Sequence, residues 1–229
     1  MYDPLEMNLN DQRAADAVSK IARNKFYPDL TESQKRAIIL HYSAVTTFMD
    51  AQLGLVLDAL GRLDLTKDTI VVFWSDHGWH LGDHGGMWAK GTLMEEAIRI
   101  PLVIAVPDKT IGVSQQVVET IDLYPTLTEL CGLPPPLEVQ GRSVAALIDN
   151  PDFPLNHTAY AVKHRRSLVG HSIRDERYMY VEYADGAIQL YDLLNDPHEL
   201  ENLAGDPAHI KAESQMQRHL HRTMKLAQK

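Results

Sequence analysis

The sequence holds a single cysteine, Cys131, so an internal disulfide framework is excluded. Its compartment stays open, because secreted chains can lack disulfides and cytosolic chains usually do. Positive charge is also short: 22 Lys and Arg stand against 31 Asp and Glu, a net −9. Reading a phosphate backbone takes clustered cations, so no nucleic-acid partner is expected. An anionic small molecule is not excluded, since one pocket can be positive on an acidic protein. Long apolar runs are missing as well. The longest, 70–74 and 100–106, are far too short to cross a bilayer, and no membrane partner is expected. Met1 is followed by Tyr-Asp-Pro-Leu-Glu rather than a basic segment leading into an apolar one. No signal peptide is expected in this chain, and in a fragment that says nothing of the parent protein.

What is present is ordinary globular composition, with 45% hydrophobic and 23% charged residues and enough length for one sizeable core or two modest ones. Residues 11–23 read as a polar helical lead-in. Thr31 followed by Gln34 is a capping-box pattern. It opens a helix whose apolar positions (Ile38, Ile39, Tyr42, Val45, Phe48, Met49, Leu53, Val56, Leu57, Leu60) form one stripe, closed by Gly61. That stripe is expected to pack on a core. Residues 69–74 are a β-branched, unalternating run, as for a strand buried on both faces of a parallel sheet. A glycine- and histidine-rich loop follows over 75–91, then a short helical turn over 94–99 and a second buried strand over 101–106. Residues 113–118 are a candidate strand. Residues 122–130 read as a helix with Pro125 in its first turn and Gly132 as its C-cap. Beyond the proline-rich punctuation, 172–183 and 187–193 resemble antiparallel strands joined around Asp185-Gly186, before a polar terminal helix. The expected architecture is an α/β layered portion over 1–154, with a small α+β subdomain of antiparallel strands over 155–229.

The chemistry concentrates in 74–93, W-S-D-H-G-W-H-L-G-D-H-G-G-M-W-A-K-G-T-L. Open α/β sheets place ligands just past the carboxyl ends of their strands. Asp76 and His77 stand at such an end, and Gly78 permits the turn that aims both at one point. A carboxylate suits a hard cation such as calcium or magnesium, and an imidazole leans toward softer ions. Two ligands do not close a metal site, so others must come from elsewhere. Taken singly, Asp76 reads as a turn cap, and the loop histidines and Lys90 as surface residues. Together, Asp76, His77, His80, Asp83, His84 and Lys90 lie within 15 residues directly after a buried strand.

From Thr69 to Ile104 the chain resembles type I sulfatases of the alkaline phosphatase superfamily, with the iduronate-2-sulfatase-like branch nearest. H-Y-S-A-V-T-T-F-M-D-A-Q-L-G-L-V-L-D-A-L, E-T-I-D-L-Y-P-T-L-T-E-L-C-G-L and L-Y-D-L-L-N-D-P-H-E-L-E-N-L-A extend the likeness from about residue 35 to about 205. The resemblance implies a partial alkaline-phosphatase-like fold: a layered mixed or parallel sheet with helices on both faces. It also implies a divalent cation, commonly calcium, held in part by Asp76 and His77, and a sulfated small molecule or glycan as substrate. Lys90 takes the place of the lysine that binds a sulfate oxygen or assists the leaving group. His84 either contacts substrate or holds the loop by hydrogen bonds. An exported parent protein is implied too.

The departures matter equally. The family's nucleophile is a formylglycine made from the Cys or Ser of a C-x-P-x-R or S-x-P-x-R segment, and no such segment occurs in these 229 residues. Cys131, in L-C-G-L-P, matches nothing of it and reads as a small buried hydrophobe. The family's paired first-strand aspartates and its K-P-H-x-P segment are absent as well. The chain alone is therefore expected to be inactive and to need a missing N-terminal half. Alternatives are a phosphonate or phosphodiester hydrolase on the same scaffold, or a non-catalytic truncated remnant. Glu95-Glu96 with Arg99 reads as a structural charge pair, with Arg99 alternatively near the site, and His164-Arg165-Arg166 as a solvated face.

Overall fold

Thr31 starts the longest helix by reciprocal capping. Its Oγ1 accepts from Gln34 N at 3.3 Å, and Gln34 Oε1 accepts from Thr31 N at 2.9 Å. The helix α1 then runs Glu32–Arg62, passing through Gly61 to a C-cap at Leu63. The computed structural model describes residues 27, 29–134, 137–165 and 168–227, so the lead-in helix expected over 11–23 lies outside the described residues.

Contacts divide the chain into two units, 1–108 and 109–229. In the first, β1 (Val71–Trp74), β2 (His80–Leu81), β3 (Trp88–Ala89), the short helix α2 (Glu95–Ile98) and β4 (Leu102–Ala105) follow α1. Strands β1 and β4 pair antiparallel, Val71 opposite Ala105 and Trp74 opposite Leu102. This corrects the expectation of a parallel neighbour for 69–74 among the described residues. Nor is the strand covered on both faces: Trp74 and Val103 are about half exposed. The stripe of α1 behaves likewise. Ile39 is its only buried residue, whereas Tyr42, Val45, Phe48, Met49, Val56 and Leu57 are exposed. The periodicity correctly identified a helix with one apolar face; the described residues of this unit do not cover that face.

In the second unit, α3 (Leu123–Leu130) and α4 (Ala146–Asp149) precede a four-stranded antiparallel meander. Its strands are β5 (Ala159–Arg165), β6 (Leu168–Arg174), β7 (Tyr178–Tyr183) and β8 (Ile188–Asp192), in that spatial order. The segment 109–154, grouped by composition with the residues before it, is tied by hydrogen bonds to this unit. Gln116 Oε1 accepts from Leu155 N at 2.7 Å, and Glu119 Oε1 from Tyr160 N at 2.8 Å. Residues 113–118 form no strand; side chains of Ser114 and Gln116 make their bonds instead. The turn over Asp185 and Gly186 forms as expected, with Gly186 at φ 87. The run 172–183 is two strands rather than one, because Asp175 Oδ1 accepts from Arg177 N at 2.8 Å and Tyr178 N at 2.6 Å and turns the chain. Cys131 is exposed, correcting the expected burial. The inward face of α3 is made by Leu123, Pro125, Thr126 and Thr128, and Cys131 falls at its end.

The last helix, α5 (Ile210–Ala227), lays Met216 and Leu220, one turn apart, against Ile173, Tyr180 and Leu190. The three sheet residues are opposed across β6–β7–β8, so one face of the meander presents a continuous apolar surface. At its rim Glu182 accepts from Tyr180, Gln217 and His221. Truncation to Leu220→Ala should destabilise this unit by about 2–5 kcal/mol, measured by denaturant unfolding.

A second anchor joins β7 to the end of β8. The Arg177 guanidinium grips Asp192 through Nε at 3.0 Å and Nη2 at 2.6 Å, and Asn195 adds a bond at 2.9 Å. The Arg177 fork holds the Asp192 carboxyl below the usual carboxylate range, against the opposing effect of burial. A depressed folded pKa adds stability above the unfolded value, about 4, and that stability is lost as pH falls through the folded value. Arg177→Gln should therefore melt below wild type at neutral pH, with the gap closing at more acidic pH in melting curves.

Candidate functional site

Past Trp74 the chain reverses through a turn in which Ser75 Oγ donates to the His77 carbonyl at 2.5 Å. Gly78 then docks against α2, its N–H donating to Ala97 O at 2.9 Å. A Cβ at Gly78 would lie 2.0 Å from the Glu96 carbonyl oxygen, so only glycine allows this approach. The docked turn presents Asp76 and His77. His77 Nδ1 lies 2.9 Å from the Gly78 carbonyl, which requires the proton on Nδ1 and leaves the Nε2 lone pair outward. Nε2 is 3.3 Å from Asp76 Oδ2 and accepts from the Lys90 ammonium.

Lys90 arrives there through the β2–β3 hairpin. His80 pairs with Ala89 and Leu81 with Trp88, which returns the chain beside the end of β1. The connection is dense in left-handed backbone: Gly82, His84, Gly85, Gly86, Ala89 and Gly91 all have positive φ. Ala89, at φ 99, adopts a conformation costly for a residue with a Cβ, directly before the lysine. So the structure brings Asp76, His77 and Lys90 together. Asp76 is 82% exposed, open to a ligand.

The carboxylate and the imidazole lone pair suit a divalent cation in their spacing. Ligand distances of about 2.0–2.5 Å place adjacent donors about 3 Å apart, close to the 3.3 Å observed. The backbone bond that fixes the His77 tautomer is the support usual behind a metal-ligating histidine. Together they supply two donors.

His84 is not part of this group. Its ring is buried, and Nε2 bonds Glu96 Oε2 at 3.2 Å. With His80, also buried, it forms a set of donors that the motif's spacing hinted at but that needed Glu96, twelve residues on, to complete. Asp83 lies alongside, accepting from Leu81 N at 2.8 Å. Burial works to raise the Asp83 pKa, but His80 and the Leu81 N–H outweigh it and hold the carboxyl low. Arg99 is exposed and pairs with Glu95 at 3.8 Å, the structural reading of that charge pattern.

In the other unit, sequence reasoning did not single out Glu119, Asp122 and His157, which also come together. Asp122 accepts from Glu119 N at 2.9 Å and Arg142 N at 2.8 Å, and each carboxylate already serves the backbone. Burial, with the neighbouring Asp122 charge, raises the Glu119 pKa, and burial lowers that of His157. This cluster ties the turn at 119–122 to His157 and to the backbone at Arg142.

Comparison with known proteins agrees with the motif. Residues 82–226 match the family described as N-sulphoglucosamine sulphohydrolase, C-terminal, and residues 15–133 match the family described as Sulfatase. A sulfatase of Formosa agariphila is 34% identical over 178 residues, 77% of this chain and 34% of that protein. A solved 2-O GAG sulfatase superposes with a TM-score of 0.80 at 26% identity, covering 88% of this chain and 46% of its own. The phosphonate monoester hydrolase of Silicibacter pomeroyi superposes with a TM-score of 0.81 at 25% identity, covering 97% and 51%. The chain thus spans about a third of the curated relative's length and about half of each solved chain. These matches do not single out the iduronate-2-sulfatase-like branch.

Gly78→Ala tests the docking on which the site stands. The added methyl must displace the Glu96 carbonyl, at a cost of about 1–3 kcal/mol in thermal or denaturant unfolding. In nitrogen-detected NMR the wild-type His77 ring should carry its proton on Nδ1, and the variant should lose that single tautomer.

Proposed function

The chain belongs to the sulfatase family of the alkaline phosphatase superfamily, and from that premise we propose that it supplies part of the cation and sulfate site of a sulfuric ester hydrolase. The observation that carries the reading is the meeting of the Asp76 carboxylate, the His77 Nε2 lone pair and the Lys90 ammonium at one exposed strand end. Asp76 and His77 would hold a divalent cation, for which calcium is the proposal, and the bound cation would supply charge neutralisation for the sulfate group. Lys90 is a preplaced ammonium for a sulfate or leaving-group oxygen, where negative charge builds as the ester S–O bond breaks. His77, its tautomer held by the Gly78 carbonyl, would give the cation the Nε2 lone pair that accepts from Lys90, turning that ammonium to the sulfate oxygen.

The 229 residues contain no C-x-P-x-R or S-x-P-x-R segment, so the reading requires a formylglycine nucleophile and further cation ligands from a separate N-terminal portion. The exposed apolar stripe of α1 supports this, being a surface suited to packing against more protein. Sulfated carbohydrates, as in the iduronate-2-sulfatase-like branch, are the proposed substrates, and the likeness to a 2-O GAG sulfatase favours them. The likeness to a phosphonate monoester hydrolase favours a second reading, in which the same three groups hold a phosphonate ester.

Fusion to a formylglycine-bearing N-terminal sulfatase portion tests both. Sulfate release from an aryl sulfate should appear in the fusion, be absent from the chain alone, and fall by about 10²–10³ in kcat with Lys90→Ala. Release by the chain alone, or release indifferent to Lys90→Ala, would overturn the sulfatase reading. Hydrolysis of an aryl phosphonate in preference to the sulfate would establish the second.

A further inference from the structure

The donors beneath the β2–β3 hairpin are placed as ligands to a cation of their own. One donor atom from each of His80, His84 and Glu96 lies within 4.8 Å of the other two, and both rings are buried. His84 Nε2 lies 3.2 Å from Glu96 Oε2, and His80 Nδ1 lies 4.0 Å from the same oxygen. A fourth donor, Asp83 Oδ2, is 3.5 Å from His80 Nδ1. Tetrahedral coordination with ligand distances of about 2.0–2.1 Å puts neighbouring donors about 3.3–3.4 Å apart. Two of the three separations fall near that value, and the third exceeds it by well under 1 Å.

The hydrogen-bond pattern points the same way. His80 Nδ1 is fully buried and makes no hydrogen bond, although its ring is fixed from the other side by Nε2 to Thr92 Oγ1 at 2.8 Å. Thr92 Oγ1 also accepts from Met94 N at 3.3 Å. With Nε2 held by Thr92, His80 aims Nδ1 between the Asp83 and Glu96 carboxylates at 3.5 and 4.0 Å, long for hydrogen bonds, so a cation in place of a proton there would meet donors from all three residues. A histidine held through its second nitrogen is the usual support of a metal ligand. His84 aims Nε2 at the same Glu96 oxygen, 3.2 Å away.

We propose that His80, His84 and Glu96, with Asp83 beside them, bind a structural divalent transition-metal ion of the zinc class. Two imidazoles with carboxylates select such an ion over calcium, which prefers an all-oxygen shell. The ion ties the left-handed loop that carries Lys90 to α2, the element against which Gly78 docks. It uses none of Asp76, His77 or Lys90 and does not rest on the proposed reaction.

The test uses the full chain, free of any tag, stripped with a chelator and titrated with Co2+ in excess Ca2+. Wild type should take up one equivalent, show the intense visible bands of four-coordinate Co2+, and melt at higher temperature once loaded. Glu96→Gln should weaken uptake by on the order of 100-fold or more, because an amide in place of a ligating carboxylate loses more than the support of a ligand does. Asp76→Asn should bind Co2+ as wild type does. Absence of the visible bands, or loss of uptake in Asp76→Asn with uptake kept in Glu96→Gln, overturns the proposal. Should Glu96→Gln not fold, the Co2+-dependent rise in Tm decides. Equal rises in wild type and Asp76→Asn support the site, and no rise in either, or a rise in wild type alone, overturns it.

Discussion

The first unit turns on how closely the backbone at Gly78 approaches the Glu96 carbonyl. That approach fixes the direction of the turn leaving β1, and with it where Asp76 and His77 stand. It also fixes the distance from β1 to α2, the helix that supplies Glu96 to the buried histidines. The hairpin between these elements has little choice of path. Its run of positive-φ positions, Ala89 among them, is how a short connection brings Lys90 back to His77. Local backbone strain of this kind persists only where surrounding contacts over-determine it, and it gathers at functional sites.

Much of this was legible in the residues because it depends on local grammar. The Thr31 capping box, the Asp185-Gly186 turn and the glycine cap after α3 are decided within a few positions, and all three form. So was the strand end bearing Asp76 and His77, because a β-branched run halting at a polar pair is a local signal. What was not legible depends on partners distant in sequence. Nothing in 69–74 says whether its neighbour runs parallel or antiparallel, since an apolar run serves either. The burial of His84 and the exposure of Cys131 likewise depend on what lies across from them. The His84 ring bonds through Nε2 to Glu96, whose sequence pattern reads as part of a structural charge pair with Arg99.

The second unit draws on different physics. Its meander is held by an apolar face shared among Ile173, Tyr180, Leu190, Met216 and Leu220. Fixed charges, rather than strain, secure its edges: the Arg177 fork on Asp192, and Glu182 receiving three donors. Segment 172–183 shows what sets strand length. The charged run Arg174-Asp175-Glu176-Arg177 carries no apolar residue, and the Asp175 carboxylate's two bonds to the following N–H groups divide the strands there.

Helix α1 carries a practical consequence. At 1.5 Å per residue its 31 residues make a rod about 46 Å long with an oily flank facing water. Sulfate and phosphate salts, which strengthen the drive to hide such a flank, should push the isolated polypeptide toward clumping well before heat does. Mild detergent or low salt is the natural medium in which to handle it.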